Sequence, residues 1–320
     1  MTSSIETGRS INICVCTYRR QAIADTLHSL GKLNLPEGYA VSIIVTDNDA
    51  EPSAKDRVLH AAATLPFPVR YVHAPKSNIS IARNACLEAS DGDFVAFIDD
   101  DETVSPDWLV RLVEVADATG ADAVLGPAMA SYGPEAPEWM MRGDFHSTFP
   151  VWVHGEIRSG YTCNVLLRRM SPHIEGRRFD LQLGRTGGED TQYFTEVYRS
   201  GGKIEFAPEA WVHDPVPAGR ARLSWLAKRR FRMGQTHGRL LATQAQGLNL
   251  AKQIGLAAMK AGYCHAAALA MVFSATRRNR YALRGIMHGG VISGLIGVRE
   301  IQLYGEESAL DIRGGKSGAT

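Results

Sequence analysis

In the first 125 residues, five short apolar runs alternate with stretches of helical period, and this alternation leaves the chain few folds to adopt. The runs cover residues 11–17 (INICVCT), 39–46 (YAVSIIVT), 69–73, 94–98 (FVAFI) and 121–125. Between them, residues 21–32, 53–63, 80–89 and 105–118 read as helices, with Ser80 as an N-cap and Ser105-Pro106 opening the fourth. Repeated strand–helix–strand units imply a mainly parallel α/β sheet flanked by helices. In open sheets of this kind, ligands bind beyond the carboxyl ends of the strands. Three of those ends are polar: Thr17-Tyr18-Arg19-Arg20, Asp47-Asn48-Asp49 and Asp99-Asp100-Asp101. They are expected to project into one crevice. Cys14 and Cys16 alternate to one face of the first strand, which is core packing. The five scattered cysteines are expected to be reduced thiols of a cytoplasmic protein.

The later chain is less regular. Residues 127–150, rich in Pro, Gly, Met and Trp, read as an irregular wall, and residues 160–167 and 203–213 as further strands. Gly187-Gly188-Glu189-Asp190 opens a helix through Arg199, followed by helices over residues 223–241 and 250–274. Charge divides the chain more sharply than composition does. Residues 1–215 carry 19 Lys+Arg against 30 Asp+Glu, whereas residues 216–299 carry 14 basic residues and no acidic one. The expected organisation is therefore a catalytic unit over 1–215, split near residue 126, and a basic helical region over 216–320. The first part is suited to a divalent cation, and the second to phosphates or an anionic membrane.

Three consecutive aspartates after a buried strand repel one another unless a cation or proton lies between them. Asp99 and Asp101, as D-x-D, suit Mg²⁺ or Mn²⁺, which take few protein carboxylates together with substrate phosphates. They also suit a simple solvated acidic loop. Asp190 is either a helix-terminal carboxylate of structural kind or a general base presented at a helix N-terminus, where negative charge is favoured. Arg229, Arg230 and Arg232 are either a solvated face or, having no acid nearby in sequence, forks for a diphosphate.

The order CTYRR, VTDND, SNISIARNACLEASDGDFVAFIDDDE, GGEDTQYFTEVYRSGGKI, RRFRMGQ resembles the inverting family 2 glycosyltransferases of GT-A fold, over roughly residues 10–240. Within that family it is similar to bacterial exopolysaccharide enzymes, including the succinoglycan-type glucosyltransferases. The resemblance implies that Thr17 and Arg19 line a nucleotide pocket, that Asp47 contacts the base, and that Arg83 lies near the diphosphate. It implies Asp99 near the ribose with Asp100 beside it, Asp101 on a Mg²⁺ or Mn²⁺ ion, and His213 as a further metal ligand. Asp190 matches the catalytic base, and Arg229 and Arg232 fall where a diphosphate would be held. The Gln-x-x-Arg-Trp signature of processive synthases is replaced by Arg229-Arg230-Phe231-Arg232, so long-chain polymerisation is not expected. The implied donor is a nucleoside-diphosphate sugar, UDP-linked, and the implied acceptor a lipid-diphosphate-linked saccharide. No nucleic-acid partner is expected.

Two other readings compete. Asp99-Asp100-Asp101-Glu102-Thr103 also matches the D-x-D-x-T motif of haloacid-dehalogenase-type phosphatases, although three strands precede it here. A non-catalytic membrane-surface scaffold would use the basic tail alone. For that tail, residues 253–274 are interrupted by Lys260 and His265. Residues 285–298 reach only about 21 Å against a bilayer core of about 30 Å. The expectation is helices lying in the membrane interface on the cytoplasmic side, with Arg277, Arg278, Arg280 and Arg284 as the lipid contacts. The N-terminus has no signal-peptide pattern.

Overall fold

The computed structural model describes residues 9–243 and 246–298. The elements in chain order are β1 (Arg9–Thr17), α1 (Ile23–Leu30), β2 (Tyr39–Asp47), α2 (Lys55–Ala62), β3 (Val69–His73), α3 (Ile79–Ala89) and β4 (Phe94–Asp99). There follow β5 (Thr103–Val104), α4 (Trp108–Thr119), β6 (Ala123–Leu125), β7 (Ala128–Tyr132), α5 (Glu138–Gly143), β8 (Trp152–Val153), β9 (Glu156–Ile157) and β10 (Asn164–Arg168). The chain continues through α6 (Glu189–Arg199), β11 (Ile204–Phe206), β12 (Val212–Val216), α7 (Leu223–Ala242), α8 (Gly247–Ala270) and α9 (Ala275–Leu295).

Seven strands form the central sheet in the order β11-β6-β10-β4-β1-β2-β3. All its pairings are parallel except those of β10, which runs antiparallel to both β4 and β6. The alternation in β1 assigns its two faces. Ile11, Ile13 and Val15 pack with α1, α2 and α4 through Leu27, Val58 and Leu112. Cys14 and Cys16 point the other way, onto α3 and α6 through Cys86 and Phe194. Both faces are thus covered, as a parallel sheet requires. From β1 the chain builds outward to β3, then returns to place β4 on the opposite side of β1. The ends of β1, β2 and β4 therefore lie level at the switch in strand order, with Cys16 beside Asp99 and Thr17 beside Asp47.

Three local expectations change. The cap of α3 is Asn78, whose Oδ1 accepts from the amides of Ser80 and Ile81, rather than Ser80. Ser105-Pro106 forms the turn before α4, which starts at Trp108 without a side-chain cap. The single strand expected over 203–213 is two strands in different sheets, because Pro208 cannot donate to a ladder and turns the chain between them. The second of these, β12, lies between β5 and β7, with His213 opposite Thr103. That pairing brings residues 213 and 214 beside the loop that follows β4.

Among its described residues the basic region forms three helices, with α9 packed against both α7 and α8. Its join to the rest of the molecule has an apolar centre, with Met140 and Phe145 against Leu226 and Leu283, and hydrogen bonds around it. Among the described residues no helix is long and apolar enough to cross a membrane.

Candidate active site

The carboxylates at the end of β4 stand in a crowded acidic cluster. Thr17 Oγ1 donates to Asp100 Oδ2 at 2.6 Å. Arg20 lies 3.7 Å from Asp100 and 3.3 Å from Asp101 and supplies the nearest positive charge. Burial, opposed by Arg83 and reinforced by Asp101, Asp214 and Asp190, pushes Asp99 up to about 6. Burial and the neighbouring Asp101 push Asp100 up to about 7. Glu102, buried and accepting from the Asp99 amide, is raised as well. Carboxylates held this close are relieved by a cation.

β12 contributes the fifth carboxylate. Val212 and Val216 are buried and His213 and Pro215 exposed, so Asp214 lies on the inward side with the valines. Burial and then Asp101 push Asp214 up to about 6, with Arg220, Arg229 and Arg20 opposing. His213 points outward and packs edge-on against Trp211 at 4.7 Å. The expectation of His213 as a metal ligand thus meets a side chain on the wrong face of its strand. Period-two alternation counted from Val212 carries the signal for Asp214, hidden in the sequence by the apolar approach through residues 203–213. Among the described residues no three His, Cys, Asp or Glu side chains converge on one point. The donor set suits a hard divalent ion holding one or two carboxylates and substrate oxygens.

Asp47 is fully buried, with both oxygens engaged. Oδ1 accepts from the Asp49 amide, and Oδ2 accepts from the Ala54 amide and from Tyr71 Oη at 2.8 Å. It ties the β2–α2 loop together. Arg19, held at a positive φ of 58°, is half exposed and donates to Asp49 at 2.9 Å.

On the opposite side, Gly188 takes φ 92° and starts α6 with no side-chain cap, leaving Asp190 in the first turn. One Asp190 oxygen, Oδ1, accepts from the Thr191 amide at 2.6 Å. Glu189 is buried and paired with Arg83, whose guanidinium also lies over the Phe179 ring. Burial would lower the Arg83 pKa, but Glu189, then Asp190 and Asp99, raise it. Arg83 therefore stands between the α6 terminus and the end of β4, and its salt bridge goes to Glu189. Among the described residues Glu189 Oε2 has no hydrogen-bond partner. Arg232 donates to the Thr186 carbonyl at 3.0 Å and rests against Gly187, so it shapes the turn before Asp190. Arg229 lies over Trp225 and acts on Asp214 across the site.

The sequence profile of Glycosyl transferase family 2 matches residues 12–172. The chain is 61% identical over 295 residues to the succinoglycan biosynthesis protein ExoM of Rhizobium meliloti (strain 1021), covering 92% of this chain and 96% of that protein. The chain belongs to glycosyl transferase family 2. Solved structures agree on the fold. A mannosyltransferase of Pyrobaculum calidifontis, bound to GDP-Man and Mn²⁺, superposes with a TM-score of 0.56 at 14% identity, over 97% of this chain and 80% of that one. S. aureus TarS 1–349 in complex with UDP-GlcNAc gives 0.52 at 15% identity, over 93% of this chain and 97% of that one. This family 2 member is a glycosyltransferase with the GT-A fold. Membership of this family disfavours the phosphatase and scaffold readings.

Proposed function

We propose that this glycosyltransferase moves a sugar, with inversion, from a UDP-sugar to a hydroxyl of a lipid-diphosphate-linked saccharide in exopolysaccharide assembly, working at a membrane surface. The carrying observation is the buried Arg83–Glu189 pair, which ties α3, packed beside β1 and β2, to the first turn of α6, where Asp190 stands. It sets a candidate base across from the candidate donor pocket. Support for the pathway comes from the similarity to a succinoglycan biosynthesis protein, and for the donor from the likeness to a structure holding UDP-GlcNAc.

In this reading Asp190 accepts the acceptor hydroxyl proton while that oxygen bonds to the anomeric carbon. The bond from that carbon to the diphosphate oxygen breaks on the far side, so an α-linked donor yields a β-linked product. Asp101, with Asp99 and Asp214 nearby, would hold Mg²⁺ or Mn²⁺. Such an ion stabilises negative charge on the leaving diphosphate. Thr17 orients Asp100, Arg19 sits at the nucleotide mouth, and Arg229 lies on the side where the diphosphate leaves. Arg232 and Asp47 serve the site by holding its loops.

The test is a panel of nucleotide-sugars with and without Mn²⁺, with product read by mass spectrometry. Metal-dependent consumption of at least one UDP-sugar is expected; consumption of none, with or without metal, overturns the reading. Asp101→Ala should abolish metal-dependent binding of the nucleoside diphosphate in calorimetry, and unchanged affinity removes Asp101 from the metal site.

A further inference from the structure

The outward face of α8 is apolar where a water-facing helix is polar. Leu248 is 91% exposed, Met259 67%, Tyr263 68% and Leu269 80%, and Phe273, just past the helix, is fully exposed. At 3.6 residues per turn, Leu248, Met259, Tyr263 and Ala266 fall on one line along the helix. That line lies opposite Ala257, Cys264 and Ala268, the residues buried toward the neighbouring helices. An amphipathic surface helix normally carries its charges there. In α8 the charged residues are Lys252, which falls on this same exposed line one turn after Leu248 and whose long side chain reaches back to the headgroup level, and Lys260 at its flank; no acidic residue occurs from 216 to 299. With 24 residues, α8 presents a stripe roughly 36 Å long.

A cleft of about 200 Å³ opens between α7, α8 and α9, lined by His237, Lys260 and His288 above Leu256, Met287 and Val291. Lys260 and Leu256 belong both to this cleft and to the exposed side of α8. The Lys260 ammonium, beside apolar side chains and the His237 and His288 imidazoles that burial and Lys260 hold below their usual range, matches the phosphate and upper acyl chain of a lipid. Within the run expected to contact lipid, Arg280 donates to the Gly143 carbonyl at 2.7 Å and lies over Phe145, while Arg277, Arg278 and Arg284 are exposed.

We infer that α8 lies flat in the interface of an anionic phospholipid bilayer, its Leu248–Phe273 stripe inserted among the acyl chains and the Lys260 cleft holding a headgroup phosphate. The charge of the region decides the occupant, because a second copy would bring a like-charged face against this one. The inference rests on the membrane part of the proposed function and is independent of its chemistry.

The test is flotation of the full chain with vesicles of phosphatidylcholine alone or mixed with phosphatidylglycerol, at low and high salt. The native chain should float with the anionic vesicles and far less with the neutral ones, with binding weakened by salt. Met259→Glu/Tyr263→Glu/Leu269→Glu should reduce binding at least tenfold, since each buried large apolar side chain contributes about that factor. The milder Leu269→Ser/Phe273→Ser pair should lose binding in the same direction, and Lys260→Gln/His288→Gln should lose the preference for phosphatidylglycerol. Hydrolysis of the donor should be unchanged in every variant, so failure of the chemistry and failure of the membrane face show separately. Native binding by both α8 variants overturns the inference. So does a native chain that ignores vesicles and forms a dimer in light scattering which the same substitutions dissociate.

Discussion

Arg83 joins α3 to the first turn of α6 in the candidate site, and its chemistry is that of a buried ion. It is bonded to Glu189, lies over Phe179, and is hidden from solvent with its partner. Removing one member of a buried pair leaves the other uncompensated, at a cost of about 3–5 kcal/mol. Arg83→Ala should therefore lower the thermal midpoint strongly and disturb the start of α6. Arg83→Ala/Glu189→Leu should recover part of that stability in the same calorimetric scan without recovering transfer. Asp190→Asn should act differently. A base works in the transition state, so kcat should fall by roughly 10²–10⁴-fold while donor affinity stays nearly constant. Steady-state kinetics with calorimetric donor binding checks this, and a near-native kcat would leave Asp190 as a helix-terminal residue.

Among the elements, the crossing of α7 and α9 depends on glycine in a way that periodicity does not reveal. A Cβ on Gly234 would meet the Met287 carbonyl at 2.0 Å, and one on Gly290 the Phe231 carbonyl at 2.0 Å. Gly238 and Gly294 repeat the arrangement one turn on, where an added Cβ would meet a facing carbonyl at 2.2 Å in each case. Small residues spaced in this way let helix backbones touch. Gly290→Val should push α7 and α9 apart and destabilise the protein by at least about 1–3 kcal/mol. The adjacent Gly289 faces open space, and Gly289→Ala should stabilise by up to about 1 kcal/mol. Denaturant titration of both variants separates close approach from helix propensity.

Across the whole molecule, the basic helices are joined to the catalytic sheet through a neutral histidine. His146 donates from Nε2 to the Arg220 carbonyl, accepts at Nδ1 from Tyr132 Oη, and stacks on Trp225 of α7. Burial, helped by Arg229 and Arg220, lowers its pKa from 6.5 to about 4. The folded state therefore resists a proton that the unfolded chain accepts. The contribution is complete above pH 6.5 and is lost as pH falls through the window toward 4, to a total of about 2–3 kcal/mol. Stability of the native chain and of His146→Gln, measured by urea unfolding at pH 7 and pH 4.5, should show a smaller decline in the variant. An equal decline would place the acid sensitivity in other groups.

Local sequence was enough to specify the βαβ alternation, the level strand ends, the start of the helix carrying Asp190, and the opposite charges of the two parts of the chain. Each of these depends on neighbours in sequence: apolar period, turn residues and net charge. What the tertiary structure decided was which polar groups are consumed by one another. Arg83 meets Glu189 from 106 positions away, Asp47 closes its own loop, and Asp214 faces the aspartates where His213 does not. The direction of the α8 stripe was likewise hidden, because an Ala-rich helix leaves its buried side open until α9 takes it. Local preference selects an element, but register and packing across the chain select the faces that meet, and a one-residue change in a strand reverses that choice.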